Sequence, residues 1–158
     1  MEISMKLQKS LLLCVALSAL AGFCFARSMQ TSSPEHSVKV EHFNSVPEVK
    51  YPWGTLRWLM SGKIDPGAEQ TFGVVEIGVG QRNALHSHPN SEELLYVLSG
   101  SCEHIVGNQK VVLHPGDLVR IPRNTTHQAI VLGNEPLRAV ISYSTPDRQV
   151  VNVGGSKE

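Results

Sequence analysis

From Tyr51 onward, short runs of apolar and β-branched residues alternate with breaks that are rich in Gly, Pro, Asn and Asp. Runs of this length between turn residues are typical of β-strands. No long run of helical periodicity occurs in this part of the chain. Many short strands at close spacing favour an all-β sandwich or barrel, in which sheet closure removes exposed edges. The predicted strands are 55–64, 71–79, 93–98, 102–106, 110–113, 117–121, 127–132 and 137–144.

The first 26 residues have the layout of a secretory signal peptide. Lys6 and Lys9 precede an apolar run over residues 11–25, and Ala26 supplies the small residue at the expected cleavage site. The apolar run is short for a membrane span. We therefore expect cleavage after Ala26, a mature chain that begins at Arg27, and a secreted or periplasmic protein. An uncleaved N-terminal anchor is the alternative.

The remainder of the chain divides by composition into three parts. Residues 27–50 are polar and irregular, which predicts an N-terminal arm that is partly disordered. Residues 51–145 carry all the predicted strands and form the expected β-domain. Residues 146–158 are polar and end in Gly, Ser and charged residues, which predicts a loose C-terminal tail.

The charge balance argues against a nucleic-acid partner, and the cysteine content argues against an internal disulfide. The chain has 14 basic and 14 acidic residues, so it lacks the excess of positive charge that a nucleic-acid partner would require. Of the three cysteines, only Cys102 follows residue 26, so the mature chain cannot form an internal disulfide. We interpret Cys102 as a small buried apolar residue.

Four side chains have spacings that can bring them to one metal ion. His86 and His88 are two residues apart, so in an extended segment they point to the same face. Glu93 opens the next predicted strand after a turn over residues 89–91, and His127 opens a distant strand. If these strands are neighbours, three imidazoles and a carboxylate converge. These donors suit a divalent Fe, Mn, Zn or Ni ion, and octahedral geometry would leave two positions for water or an oxygen-rich ligand.

At these positions the sequence resembles the cupin superfamily. The first cupin motif is filled by Gly80, His86, His88, Glu93 and Gly100. The second motif is matched by Gly116, Pro122 and His127. The resemblance covers roughly residues 70–145. It implies an all-β cupin β-barrel, also described as a double-stranded β-helix or jelly roll, with metal ligands His86, His88, Glu93 and His127.

Two positions depart from the second motif. Asn124 stands where Gly is usual, and asparagine adopts a left-handed backbone more easily than most residues. Val131 stands where Asn is usual and makes the neighbourhood of the pocket more apolar.

The spacing to Gly100 selects Glu93 rather than Glu92 as the ligand. With Glu93 inward, Leu95 and Val97 also point inward by the period of two along a strand. The opposite face then carries three apolar side chains that would pack against another sheet or a second subunit, which predicts a homodimer: Leu94, Tyr96 and Leu98.

Other candidate residues have a functional and a structural interpretation. Trp53, Trp58 and Tyr143 are candidates for the pocket wall. Arg57 can hold a substrate carboxylate or lie on the surface beside a tryptophan, and the surface position is favoured slightly. His104 can lie close behind the metal ligands, but a histidine with satisfied hydrogen bonds is favoured.

His114 precedes Pro115-Gly116 and is interpreted as a turn residue. No general acid or base is identifiable from the sequence, so the catalytic residues are unknown.

Two function hypotheses follow. The first is an exported metal-dependent enzyme of the oxygenase, isomerase or lyase class that binds a small oxygen-rich substrate at the open metal positions. The alternative is a non-catalytic module that binds a metal or a small ligand. Neither hypothesis includes stable membrane insertion after removal of the signal segment.

Overall fold

The computed structural model describes residues 38–154. The predicted signal peptide over residues 1–26 and the first part of the arm lie outside this range. Within it, a single 3-10 turn at Phe43–Ser45 precedes the strands, and no helix is long and apolar enough to cross a membrane. The strands are β1 Glu48–Tyr51, β2 Gly54–Met60, β3 Thr71–Ile77, β4 His86–Ser87, β5 Glu93–Ser99, β6 Ser101–Val106, β7 Gln109–Leu113, β8 Leu118–Ile121, β9 His127–Leu132, β10 Leu137–Tyr143 and β11 Val151–Asn152.

The strands form two sheets in which the paired strands run antiparallel. The larger sheet has the order β1-β2-β3-β10-β5-β8, and the smaller has the order β11-β4-β9-β6-β7. Strands that are distant in sequence are therefore neighbours, as β3 and β10 are in one sheet and β4 and β9 in the other. This arrangement confirms the prediction of an all-β barrel.

The core lies between the two sheets and follows the alternation of the strands. In β5, Glu93, Leu95 and Val97 are buried, whereas the intervening side chains are exposed, which confirms the predicted inward face. β10 alternates in the same way and contributes four buried side chains to the core. Val131 packs in this apolar cluster, and Cys102 is fully buried, as predicted. Burial raises the pKa of the Cys102 thiol to about 11, so it stays protonated.

The structure differs from the sequence-based prediction at the C-terminal end. Residues 146–158 are predicted to form a loose tail, but Val151–Asn152 is a strand that pairs with His86–Ser87. Two further hydrogen bonds fix this segment, from Val153 N to Leu85 O at 2.8 Å and from Gly62 N to Pro146 O at 2.9 Å. A segment of mixed polarity can therefore be ordered through its backbone groups, which a hydrophobicity pattern does not report.

Candidate metal centre

The four predicted metal ligands meet at one point inside the barrel. His86 and His127 are directly paired across β4 and β9, while His88 follows β4 and Glu93 begins β5. All four side chains are buried, and their candidate ligand atoms lie within 4.8 Å of one another. The fold thus brings together, from three separate strands, the donors that the sequence motif placed far apart.

Asn124 links the loops that carry these side chains. Its backbone N–H donates a hydrogen bond to His88 O at 2.8 Å, which joins the loop before β9 to the loop after β4. Its φ angle is +58°, the left-handed conformation that glycine usually occupies. The departure from the second motif is therefore accommodated by the backbone as predicted.

Backbone carbonyl groups decide which nitrogen of each histidine faces the centre. Nδ1 lies 2.7 Å from Ala84 O in His86, 2.7 Å from Gln149 O in His88 and 2.9 Å from Thr125 O in His127. A carbonyl oxygen only accepts, so each Nδ1 carries the proton and donates it. When the three rings are neutral, their Nε2 lone pairs remain for a metal ion.

Glu93 supplies the negative charge at the centre. Its Oε2 lies 3.0 Å from His127 Nε2 and 3.1 Å from His88 Nε2. The His127 contact has hydrogen-bond geometry, whereas His88 Nε2 is a buried nitrogen that lacks a hydrogen-bond partner among the described residues. An unpaired buried nitrogen beside a carboxylate is the arrangement that a cation would satisfy, so these residues fit a divalent metal.

Electrostatics within the group favour an ionised Glu93 and a neutral His86. Burial raises the pKa of Glu93, but the contacts with His127 and His88 outweigh burial and hold this pKa well below its ordinary value. Burial and the neighbouring His127 lower the pKa of His86 to about 3. Burial also lowers the pKa of His127, but the hydrogen bond to Glu93, the charge of Glu93 and the Thr125 carbonyl together outweigh burial and raise this pKa above its ordinary value. A divalent ion would thus compete with a proton on His127.

A small pocket opens beside the metal group. It is lined mainly by apolar side chains of both sheets, together with Trp53, His104, Tyr143 and Arg148. Trp53 and Tyr143 therefore reach the pocket as predicted. Trp58 does not line this pocket, contrary to the prediction, and instead contacts Tyr143, with ring centroids 6.1 Å apart.

Arg57 lies away from this pocket, as the favoured interpretation holds. Its guanidinium donates a hydrogen bond to Val46 O at 2.8 Å and pairs with Glu48 at 3.3 Å. It also lies 5.0 Å from the centre of the Phe43 ring. His114 is exposed in the turn before β8, as predicted, and its backbone N–H donates to Asp117 Oδ2 at 2.7 Å.

The favoured interpretation of His104 as a satisfied histidine is wrong. His104 is 1% exposed, and neither of its ring nitrogens has a hydrogen-bond partner among the described residues. Its ring centroid lies 6.0 Å from that of His127. Burial lowers the pKa of His104 to about 4, so the imidazole is neutral near pH 7. The sequence could not reveal this placement because it depends on the pairing of β6 with β9.

Arg148 is the pocket residue that sequence reasoning missed. It lies in the segment that was predicted to be a loose tail, and no motif marks it. Its position depends on the docking of residues 146–153 against the loop after β4, which only the structure shows.

Comparison with known proteins agrees with the fold and the site. Residues 73–143 match the family model described as Cupin domain. An uncharacterized protein of Methanocaldococcus jannaschii is 29% identical over 118 residues, which cover 72% of this chain and 94% of that protein. Protein SchB of Streptomyces halstedii is 27% identical over 106 residues, which cover 67% of this chain and 77% of that protein.

A solved structure extends the similarity to three dimensions. The Lactobacillus farciminis oxalate decarboxylase formate complex superposes with a TM-score of 0.68 at 25% identity, over 79% of this chain. The match spans 39% of the oxalate decarboxylase chain. The family match, the paired sheets and the buried three-histidine, one-glutamate group agree, and the chain therefore contains a domain of the cupin superfamily.

Proposed function

We propose that this protein is an exported metal-dependent enzyme that acts on a small oxygen-rich substrate. The observation that carries the proposal is the buried group of three imidazoles and one carboxylate, with ligand atoms within 4.8 Å, at the wall of a pocket. His86, His88, Glu93 and His127 would hold the ion. When bound, a divalent metal supplies Lewis-acid polarisation of a substrate oxygen or a bound water of lowered pKa.

The chain's own residues prepare this chemistry. The carbonyl groups of Ala84, Gln149 and Thr125 fix the three rings in advance, so metal binding requires little rearrangement. The apolar lining of the pocket lowers the local dielectric, which strengthens electrostatic interactions with a bound substrate. Nitrogen and carboxylate donors without a thiolate favour Fe, Mn, Zn or Ni.

The solved relative supports a small substrate. It is an oxalate decarboxylase described in complex with formate, and both names denote small oxygen-rich molecules. The reaction class of the present protein, whether oxygenase, isomerase or lyase, is part of the proposal. A non-catalytic binding module is the competing function, because a metal site and a pocket are also sufficient for sequestration.

Export supports the same proposal from the sequence. The basic start, the apolar run and the small residue at Ala26 favour cleavage and a secreted or periplasmic enzyme. Intact mass of protein isolated from the expressing cells is expected to correspond to a chain that begins at Arg27. A mass that retains residues 1–26 would contradict export by cleavage.

The decisive experiment combines elemental analysis with a reaction screen. Protein purified without a tag is expected to contain about one divalent ion per chain, and His88→Ala and His127→Ala are expected to lose this ion and melt at lower temperature. His114→Ala, at an exposed turn, is the matched control.

A screen of small hydroxy and oxo acids, with and without oxygen, then separates enzyme from binding module. Unchanged metal content in both variants would refute the metal assignment, and an absence of turnover by metal-loaded protein would favour the binding module.

A further inference from the structure

An arginine and a histidine outside the metal group line the same pocket. Arg148 comes from the C-terminal segment, and His104 comes from β6. The metal-ligand motifs include neither residue, and the proposed metal site does not require them. Their presence at the pocket wall therefore requires a separate explanation.

Arg148 is held close to the metal group by stacking. Its guanidinium carbon lies 4.8 Å from the centre of the Trp58 ring and 5.2 Å from that of Tyr143. The Tyr143 ring lies 4.8 Å from the His88 ring. Stacking uses the face of a guanidinium, whereas carboxylate recognition uses the fork of N–H groups at its edge. The Tyr143 ring therefore lies between the guanidinium of Arg148 and the imidazole of His88.

The segment that carries Arg148 is tied to the loop of metal-binding residues. Asn90 Nδ2 donates to Asp147 O at 2.5 Å, and Asn90 Oδ1 accepts from Gln149 N at 3.0 Å. His88 Nδ1 also donates to Gln149 O. The residues on both sides of Arg148 are thus bonded to the loop after β4, which fixes the arginine relative to His88.

His104 provides the second observation. Both of its ring nitrogens are buried and lack hydrogen-bond partners among the described residues. Its cross-strand partner is Ala129, whose small side chain also lines the pocket. Buried polar atoms in native proteins are nearly always paired, so an unpaired imidazole at a pocket wall points to a ligand that pairs with it.

Charge and size define the ligand class. Glu93 is the one carboxylate among the described residues that line the pocket, and Arg148 adds a positive charge. With a divalent ion, the pocket would carry a net charge of about two positive units, which attracts an anion. The cavity volume is about 30 Å³, measured at the centres of water-sized spheres. A single water requires roughly 10–15 Å³ by that measure, so the pocket itself accommodates only a small group.

We propose that the pocket binds a small carboxylate, which pairs with Arg148 at its carboxyl group and accepts a hydrogen bond from His104. This inference deepens the proposed function, because it names the charge of the substrate and two residues that select it. Arg148 is the residue that selects for a negative charge. His104 is the hydrogen-bond donor to the ligand at the pocket wall.

The test measures acetate binding by calorimetry in both metal-loaded and metal-free protein. Arg148→Gln is expected to weaken acetate binding roughly tenfold or more, since a charge-assisted pair is lost. Arg138→Gln is the matched control, because Arg138 also stacks on an aromatic ring, Phe43 at 5.0 Å, and does not line this pocket. Acetamide, a neutral analogue of the same shape, is expected to bind wild type and Arg148→Gln equally.

His104 is tested with His104→Phe, and exposed His114→Phe is the control. The His104 variant is expected to bind acetate roughly fivefold more weakly, which corresponds to one lost hydrogen bond. Melting temperature and metal content verify that each variant folds. If His104→Phe does not fold, the arginine series still decides the inference. Equal acetate affinity in Arg148→Gln and Arg138→Gln, or tighter binding of inorganic phosphate than of acetate, would overturn it.

The experiments distinguish failure of the carboxylate site from failure of the proposed enzymatic function. Dependence of acetate binding on Arg148 without turnover of any carboxylate would keep the carboxylate site and refute the enzyme. Turnover of a neutral substrate with acetate binding that is insensitive to Arg148 would keep the enzyme and refute the carboxylate site.

Discussion

At the scale of single residues, the site depends on where protons and lone pairs lie. Three histidines each donate Nδ1–H to a backbone carbonyl, two of which belong to residues only two positions earlier, Ala84 and Thr125. The third carbonyl, of Gln149, is 61 residues away from His88. Local sequence thus orients two of the rings, whereas the third depends on the docking of a distant segment. The motif predicts which residues meet, but it does not predict what holds His88.

The choice between adjacent glutamates gives a prediction at this scale. Glu93→Gln keeps the shape of the side chain and removes its charge, so affinity for a divalent metal is expected to fall roughly tenfold or more. Glu92→Gln is the matched control, because Glu92 faces outward and pairs with Arg120 at 2.5 Å. Calorimetric titration with the divalent metal measures the affinity of each variant. Equal losses in both variants would mean that the carboxylate acts through general charge rather than as a ligand.

At the scale of elements, the pattern of apolar runs predicted the long strands well. The predicted strand 127–132 coincides with β9, and the predicted strand at 93–98 differs from β5 by a single residue. β4 and β11 were missed because they contain only two residues each, and β1 was missed because its four residues are mostly exposed; all three are defined by their pairing partners. His86–Ser87 becomes a strand because it lies between β9 and β11. No local pattern encodes that position, so the sequence predicts the ligands more easily than the strand that carries one of them.

The docking of the C-terminal segment gives a prediction for this element. Asn90→Ala removes two hydrogen bonds to residues 147 and 149, so residues 146–153 are expected to open more easily by about 2 kcal/mol. Hydrogen exchange measured by mass spectrometry should show faster exchange in this segment and little change in β5. Asn134→Ala, in an exposed turn, serves as the control. Unchanged protection of residues 146–153 would show that the pairing of β11 with β4 alone holds the segment.

At the scale of the whole molecule, two sheets enclose a polar centre within an apolar core. Gly100 shows how closely the strands approach, because a Cβ at this position would lie 2.3 Å from Pro136 O. The second glycine of the first motif, Gly100, is therefore explained by chain packing at the end of β5, away from the metal ligands. The homodimer expected from the sequence remains a prediction. It rests on the outward face of β5 and β8, where four large apolar side chains are 37–58% exposed: Leu94, Tyr96, Leu98 and Leu118.

This outward face gives the prediction for the assembled molecule. Tyr96 and Leu118 are cross-strand partners, so the exposed apolar side chains are contiguous rather than scattered. A second copy that covers this face would remove apolar surface from water, and sedimentation velocity at micromolar concentration is therefore expected to show a dimer.

Leu118→Lys should shift the protein to the monomer, because it places a charge in the interface. Val112→Lys, at a residue of the other sheet that is 51% exposed, should not. Since the metal group faces inward from β5, both variants should retain the metal. A wild-type protein that sediments as a monomer throughout this range would refute the dimer and leave the metal site unaffected.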